Sequence, residues 1–181
     1  MRLVLLFMLI AISAAGATPT QFKTVVEAVE SAGDYAVAEG SLVVVSSSPL
    51  HVMVKPPAVK GDFPKVLEEI SKREIVWVAL LAFAHTSVNE LTITSFPDEI
   101  DYRSNAKRAL TAYKRTAAVT RDQFNSLVKK HLKLATAADL IGDQKIGTET
   151  FPDMPLDASN RILYNDQGPP GLDRFFAELV R

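Results

Sequence analysis

Residues 62–97 read DFPKVLEEISKREIVWVALLAFAHTSVNELTITSFP, and this stretch decides how the rest of the chain is organised. Apolar side chains recur at helical spacing from Phe63 to Ala84, and Pro64 stands where the first turn of a helix tolerates proline. The run from Ile75 to Ala84 has no polar residue, but as a helix it spans only about 15 Å, about half of a bilayer core. We therefore predict one long helix that enters the protein core and leads into a strand.

Strand-like segments come in pairs before and after this helix. Residues 35–45 end in a β-branched run, and residues 52–54 return after a turn. Residues 91–94 alternate between apolar and polar side chains, and residues 109–119 form the fourth candidate strand. Because sequential strands favour hairpins, we predict an antiparallel sheet of about four strands.

Two further helices flank these strands. An apolar stripe from Phe22 to Val29 predicts the first helix, with Thr18 or Thr20 as its cap and Gly33 as its left-handed end. The capping box at residues 120–123 starts the other helix. The predicted order is α-β-β-α-β-β-α, in a two-layer α+β domain whose helices pack on one face of the sheet.

The amino terminus has the parts of a secretory signal peptide. Arg2 precedes a short apolar segment, which ends at Ala15-Gly16-Ala17. We predict that residues 1–17 are removed, that the protein is periplasmic or secreted, and that no stable membrane span remains after cleavage. A retained anchor is the alternative. The chain has no cysteine, so its core must hold without disulfides.

The carboxyl-terminal part has a different composition from the predicted domain, residues 18–141. Glycine and proline are dense in residues 142–171, which predicts a loop-rich strap across the domain. Residues 172–181 predict a short amphipathic helix, whose stripe consists of Leu172, Phe175, Phe176 and Leu179. We expect this helix to dock on its own domain. In the alternative, Phe175, Phe176 and Leu179 bind a protein partner in the cell envelope.

Composition argues against several classes of function. Twenty basic residues against 21 acidic ones leave no excess positive charge for nucleic-acid binding. The absence of cysteine removes thiol chemistry, and the histidines have no partner at ligand spacing, so we predict no metal site and no cofactor. No glycine-rich phosphate loop is present in the sequence.

His85 is the one weak candidate for catalysis. It is followed by Thr86-Ser87, and Glu90 and Asp98 are nearby carboxylates, so the residue types of a nucleophilic triad are present. No Gly-x-Ser-x-Gly elbow presents a nucleophile, and neighbours in sequence seldom aim at one another. The structural interpretation is that His85 ends the apolar run.

These observations leave three functional hypotheses. The first is a non-enzymatic exported module for binding or assembly, with a protein partner in the cell envelope. The second is a small hydrolase that uses His85. The third is a carrier that holds a small apolar ligand between helix and sheet, near Trp77 and Phe83. Trp77 otherwise packs in the core as part of the apolar stripe.

Overall fold

The computed structural model describes residues 18–101, 103–104 and 106–181, so the predicted signal peptide, residues 1–17, lies outside the described residues. The described chain has the predicted α+β architecture. The helices are α1 (Val25–Ser31), α2 (Pro64–His85), α3 (Arg121–Leu132), α4 (Asp157–Leu163) and α5 (Leu172–Leu179). The strands are β1 (Leu42–Ser47), β2 (Leu50–Val54), β3 (Pro57–Val59), β4 (Glu90–Ser95), β5 (Asp98–Asp101), β6 (Ala106–Ala109), β7 (Arg115–Thr120), β8 (Ile141–Ile146) and β9 (Glu149–Pro155).

Helix α2 is the central element, as its sequence predicts. Pro64 occupies its first turn, and from Ile75 to Ala84 every residue except Trp77 is buried. The helix ends at Thr86, whose backbone N–H and side-chain hydroxyl both donate to the carbonyl of Ala82, at 3.1 and 2.7 Å. It packs against strands β4 and β7 and against α1, α4 and α5. Among the described helices, none is both long enough and apolar enough to cross a membrane.

The main sheet has four strands in the order β1-β2-β4-β7. The pairs β1/β2 and β4/β7 are antiparallel, as predicted. The central pair β2/β4 is parallel, with Val52 opposite Ile93, and so differs from the predicted antiparallel sheet. The reason is that α2 connects these two strands as a crossover, which brings the chain back in the same direction.

The helical layer covers one face of this sheet. The side chains that point into this interface are buried: Leu42, Val52, Val54, Leu91, Ile93, Ala117 and Val119. On α3, the Thr120 hydroxyl accepts the backbone N–H of Gln123 at 3.2 Å, so the Thr120 half of the predicted capping box is present. The core thus forms between α2 and the sheet. Helices α3 and α5 contribute further buried side chains to it.

Several boundaries differ from the predicted ones. Helix α1 is capped by Thr24 within a capping box, later than the predicted Thr18 or Thr20. Strand β1 begins only at Leu42, because residues 37–40 form a turn in which Gly40 has a φ of 68°. The predicted strand 109–119 is divided by a 3₁₀ turn at Thr111–Tyr113.

Two smaller sheets were not predicted. Strands β3, β5 and β6 form one of them, and β8 and β9 form a hairpin within the segment predicted to be loop. Helix α4 follows in the same segment, so residues 142–171 contain much more regular structure than their glycine and proline content suggests. The hydrogen bond from Leu156 N to the carbonyl of Leu140, at 2.9 Å, ties the end of this hairpin to its start.

Candidate functional site

A cavity of about 450 Å³ lies beside the middle of α2. Its wall combines side chains from α2, from the loop after α1, from the segment that joins β2 to β3, and from the region of α4. The lining residues are Asp34, Tyr35, Pro56, Pro57, Arg73, Glu74, Trp77, Pro155, Asn160, Leu163 and Tyr164. Cavities of this size are typical of small-molecule sites.

The end of α1 positions the first two of these residues. Gly33 adopts a φ of 83°, which is the left-handed conformation that its position in the sequence predicted. The chain then turns so that Tyr35 is buried while Asp34 stays exposed. The Trp77 indole N–H donates to Oδ2 of Asp34 at 3.0 Å, which ties the α1 loop to α2.

Two adjacent residues of α2 supply the charged part of the wall. Nε of Arg73 donates to Oε1 of Glu74 at 3.1 Å, and the Arg73 guanidinium lies 5.4 Å from the ring centre of Tyr164. The Glu74 side chain is buried, with 8% of the residue exposed. The guanidinium is therefore held between a carboxylate and an aromatic ring, in a defined orientation at the cavity.

Burial dominates the electrostatics of this wall. It raises the pKa of Glu74, because desolvation outweighs the opposing effects of the Arg73 charge and of hydrogen bonds from Tyr35 and Arg73. Burial also raises the pKa of Tyr35, and the neighbouring Glu74 raises it further through its charge and a hydrogen bond. The phenol is therefore un-ionised at neutral pH and serves as a hydrogen-bond donor.

The wall combines apolar and aromatic surface with a few polar groups. Among the described residues that line the cavity there is no serine, threonine, cysteine or histidine. The groups that are present are aromatic rings, prolines, one leucine, two carboxylates, one guanidinium and one amide. Such a set can hold a ligand by apolar contact and orient it by a few polar groups.

His85 lies elsewhere, at the buried end of α2. It is 2% exposed, its Nδ1 is 2.8 Å from the carbonyl of Thr20, and its ring packs on Phe22 at 5.8 Å. The neighbouring Thr86 hydroxyl is used by the helix end, where it donates to Ala82. The structure thus surrounds His85 with backbone and an aromatic ring, and in the described chain no hydroxyl or carboxylate forms a hydrogen bond with it.

The predicted binding residues of the last helix face the core. Phe175 and Leu179 are fully buried, and Phe176 is 9% exposed. The Phe175 ring packs edge-on against Phe124 at 5.5 Å, and Phe124 packs in turn against Phe83. Helix α5 therefore docks on its own domain in this structure.

Several carboxylates and histidines outside the cavity form structural contacts. Asp101 pairs with Lys60 at 2.9 Å, and Glu99 pairs with Arg108 at 2.8 Å. His51 lies 2.9 Å from the Thr94 hydroxyl, on the sheet. The described residues contain no group of three or more histidine or acidic side chains that could hold a metal ion.

The sequence contains one signal for this site, on α2. On α2, positions 67, 70, 74, 77 and 81 fall on one helical face at spacings of three and four. Glu74 is the charged member of that otherwise apolar and aromatic face, and a buried charge needs a partner or a function. The spacing of Asp34, Tyr35 and Tyr164 carried no comparable signal, since only folding brings them to Glu74.

Comparison of the chain with protein-family models, with curated proteins and with solved structures finds no match. The functional proposal therefore rests on the geometry of this site.

Proposed function

We propose that the protein is an exported, non-enzymatic binding module, and that the cavity beside Trp77 holds its ligand. The observation that supports this most is the composition of the wall, in which aromatic and proline side chains surround a few oriented polar groups. Export is supported by the signal-like sequence of residues 1–17.

Contacts within the protein hold two side chains of the wall in place. Trp77 is fixed by its bond to Asp34, and Arg73 is fixed by Glu74 and Tyr164. Side chains that are held in place lose little conformational entropy when a ligand binds, so more of the contact free energy appears as affinity. This favours binding as the role of the cavity.

The alternatives fit the geometry less well. A hydrolase that uses His85 needs an accessible imidazole beside a nucleophile, whereas His85 is buried against Phe22. A carrier with its ligand between Trp77 and Phe83 needs space beside both rings, whereas Phe83 packs on Phe124 at 5.6 Å and does not line the cavity. Of the two residues in the carrier hypothesis, Trp77 lines the cavity and Phe83 does not.

Native mass spectrometry of the protein purified from its own cell envelope tests the proposal. We expect wild-type protein to carry a small non-covalent adduct, and we expect Trp77→Ala to lose it. Phe63→Ala is the matched control, because Phe63 is an aromatic residue of the same helix region that is 77% exposed and does not line the cavity. A polypeptide that co-purifies in place of the adduct supports the protein-partner form of the same binding function.

A second measurement makes the result decisive. Trp77 is the single tryptophan of the chain, so its fluorescence reports on the cavity directly. Wild-type protein without any adduct or co-purified polypeptide, whose emission does not respond to any fraction of the envelope extract, would overturn the proposal. Amino-terminal sequencing of the same preparation tests the export prediction, for which the expected first residue is Thr18.

A further inference from the structure

We propose that this cavity binds a primary ammonium group on a short apolar stem, with Asp34 and Glu74 as the carboxylates that meet the charge. The inference rests on the proposed binding function and names the class of ligand. The shared chemistry is that of an alkylamine, whether it is a free amine or the side chain of a lysine in another protein.

The charges of the lining are unequal. When both carboxyls are ionised, Asp34 and Glu74 contribute two negative charges and Arg73 one positive charge, so the described wall then has an excess of one negative charge. A smaller neighbouring cavity of about 170 Å³ shares Asp34, and its other charged residues, Glu39, Asp98, Lys55 and Lys107, balance. A cationic ligand therefore gains from the field of the wall, and an anionic ligand is opposed by it.

The carboxylates also keep capacity to accept hydrogen bonds. Asp34 receives the indole N–H of Trp77 on Oδ2. Glu74 receives Nε of Arg73 on Oε1 and a further hydrogen bond from the Tyr35 hydroxyl. An ionised carboxylate has about four acceptor positions. An ammonium group has three donors and no acceptor, so it can use the positions that these two side chains retain.

Aromatic rings supply the second half of the recognition. Trp77, Tyr35 and Tyr164 line the same cavity, and the negative face of an aromatic ring attracts a cation. The guanidinium of Arg73 over Tyr164 is an example of that attraction within this wall. Pro56 and Pro57 provide apolar surface for the stem of the ligand.

The state of Glu74 agrees with this geometry. Its pKa is raised because the Arg73 charge and the hydrogen bonds do not compensate for its burial. A second cation placed beside the carboxylate would supply that compensation. Arg73, Tyr35 and Asp34 are the titratable groups that act on Glu74, and Arg73 is the one cation among them.

Arg73 is the basis of the opposite hypothesis, in which the ligand is a carboxylate. A guanidinium binds a carboxylate through two parallel hydrogen bonds when its fork is free. Here Nε is already directed at Glu74, and an incoming anion would lie close to that buried negative side chain. The geometry therefore favours the cation, and the test includes the anion.

Three linear ligands with five carbons each separate these cases: n-pentylamine, n-pentanol and pentanoate. Binding is measured by the fluorescence of Trp77 and by amide chemical shifts of the full mature protein. We expect n-pentylamine to bind at least about tenfold more tightly than either of the others, the difference expected for one charge-assisted contact. Asp34→Asn and Glu74→Gln should each weaken n-pentylamine about tenfold, and Asp143→Asn, an exposed acid outside the cavity, should have no effect.

A second pair of probes distinguishes the two sources of the ammonium group, a free amine and the lysine side chain of another protein. Nα-acetyl-lysine N-methylamide tests a lysine side chain, and its Nε-acetylated form is the neutral control. Binding of the lysine probe indicates a protein ligand, whereas binding of n-pentylamine alone indicates a free amine, and either result supports the proposal.

Pentanoate that binds as tightly as n-pentylamine, or affinity for n-pentylamine that survives both acid substitutions in folded protein, would overturn the ammonium inference. Equal binding of all three probes would overturn it too, while leaving the binding function supported. Absence of binding by n-pentylamine and by the lysine probe also overturns the inference. In that case the proposed function is judged by the adduct from the cell envelope, which does not depend on these probes.

Discussion

Glu74 and Glu178 are both paired with cations, yet their surroundings shift their pKa values in opposite directions. Glu178, on α5, lies 2.7 Å from Nζ of Lys130, 3.0 Å from Nε2 of His131 and 3.2 Å from Nε of Arg174. These partners lower its pKa to about 2, with the hydrogen bond from Lys130 as the largest cause. Glu74 is buried, has Arg73 as its cationic partner, and its pKa is raised.

This difference separates a structural cluster from a candidate binding site. The negative charge of Glu178 is compensated by its cationic partners, and these contacts join α5 to α3. The negative charge of Glu74 is only partly compensated, and Glu74 lines a cavity. Under-compensated buried groups are found more often where a ligand or substrate completes the site. The following experiments test whether the two regions have these different roles.

The largest expected effect on stability concerns the core packing beneath the Glu178 cluster, which consists of Glu178, Lys130, His131 and Arg174. Phe175→Ala should lower the free energy of unfolding by about 3–5 kcal/mol, because it removes a fully buried ring from a well-packed core. Urea unfolding followed by far-UV circular dichroism measures this loss. Phe63→Ala, at a highly exposed ring, should change stability by no more than about 0.5 kcal/mol. A Phe175→Ala protein as stable as this control would show that α5 does not depend on core packing.

Trp77→Ala should have an intermediate effect, about 1–2 kcal/mol. Trp77 is only partly buried and lines the cavity, so the prediction of a core tryptophan is corrected by the structure. Part of the loss comes from the bond to Asp34, and Trp77→Phe should recover the ring contacts but not that bond. Thermal unfolding of both variants separates the two contributions. A loss as large as that of Phe175→Ala would contradict the assignment of Trp77 to a cavity wall.

Glu178 and its three cationic partners predict that the stability of the fold is sensitive to acid. The pKa of Glu178 in the folded state, about 2, is below the ordinary value of 4.5. Between these two pH values the unfolded chain therefore binds more protons than the folded one. The stability that Glu178 contributes is present above pH 4.5 and is lost as the pH falls from 4.5 towards 2. We expect Glu178→Gln to melt at a lower temperature than wild type at pH 7, with the difference vanishing near pH 2. Glu149→Gln, an exposed glutamate of the β8–β9 hairpin, is the control.

The smallest expected effect has the opposite sign. Because the folded pKa of Glu74 is above 4.5, the folded state binds more protons than the unfolded state just above that pH. The stabilising contribution of its protonated form is present below pH 4.5 and is lost as the pH rises through the folded pKa. Glu74→Gln should therefore melt at or slightly above the wild-type temperature at pH 7, by at most about 1 kcal/mol in stability, and should match wild type in acid.

This last prediction also tests the comparison as a whole. Arg73 keeps 31% of its side-chain surface exposed, so water can solvate it when the charge of Glu74 is removed. If Glu74→Gln and Glu178→Gln lost stability to the same extent at pH 7, the two glutamates would both be structural. Thermal melts of the two variants across pH 2–8 decide between these outcomes.

The sequence by itself determined the elements whose causes are local. Helix α2, the Thr120 cap of α3, the Gly33 turn and the stripe of α5 all follow from spacing or from a single side chain acting within a few residues. The α+β class also followed, because helical and strand periodicities differ along the chain.

Only the tertiary structure decided the features that join distant segments. The parallel β2/β4 pair depends on the path of α2, and the β8–β9 hairpin depends on pairing within a segment rich in glycine and proline. The cavity depends on bringing Tyr35 and Tyr164 to Glu74. Periodicity shows which face of an element is buried, but it does not show which other element covers that face. The packing of the whole chain determines which element covers that face. The sequence therefore shows Glu74 as a charged residue on an apolar helical face, and only the fold determines which residues surround it.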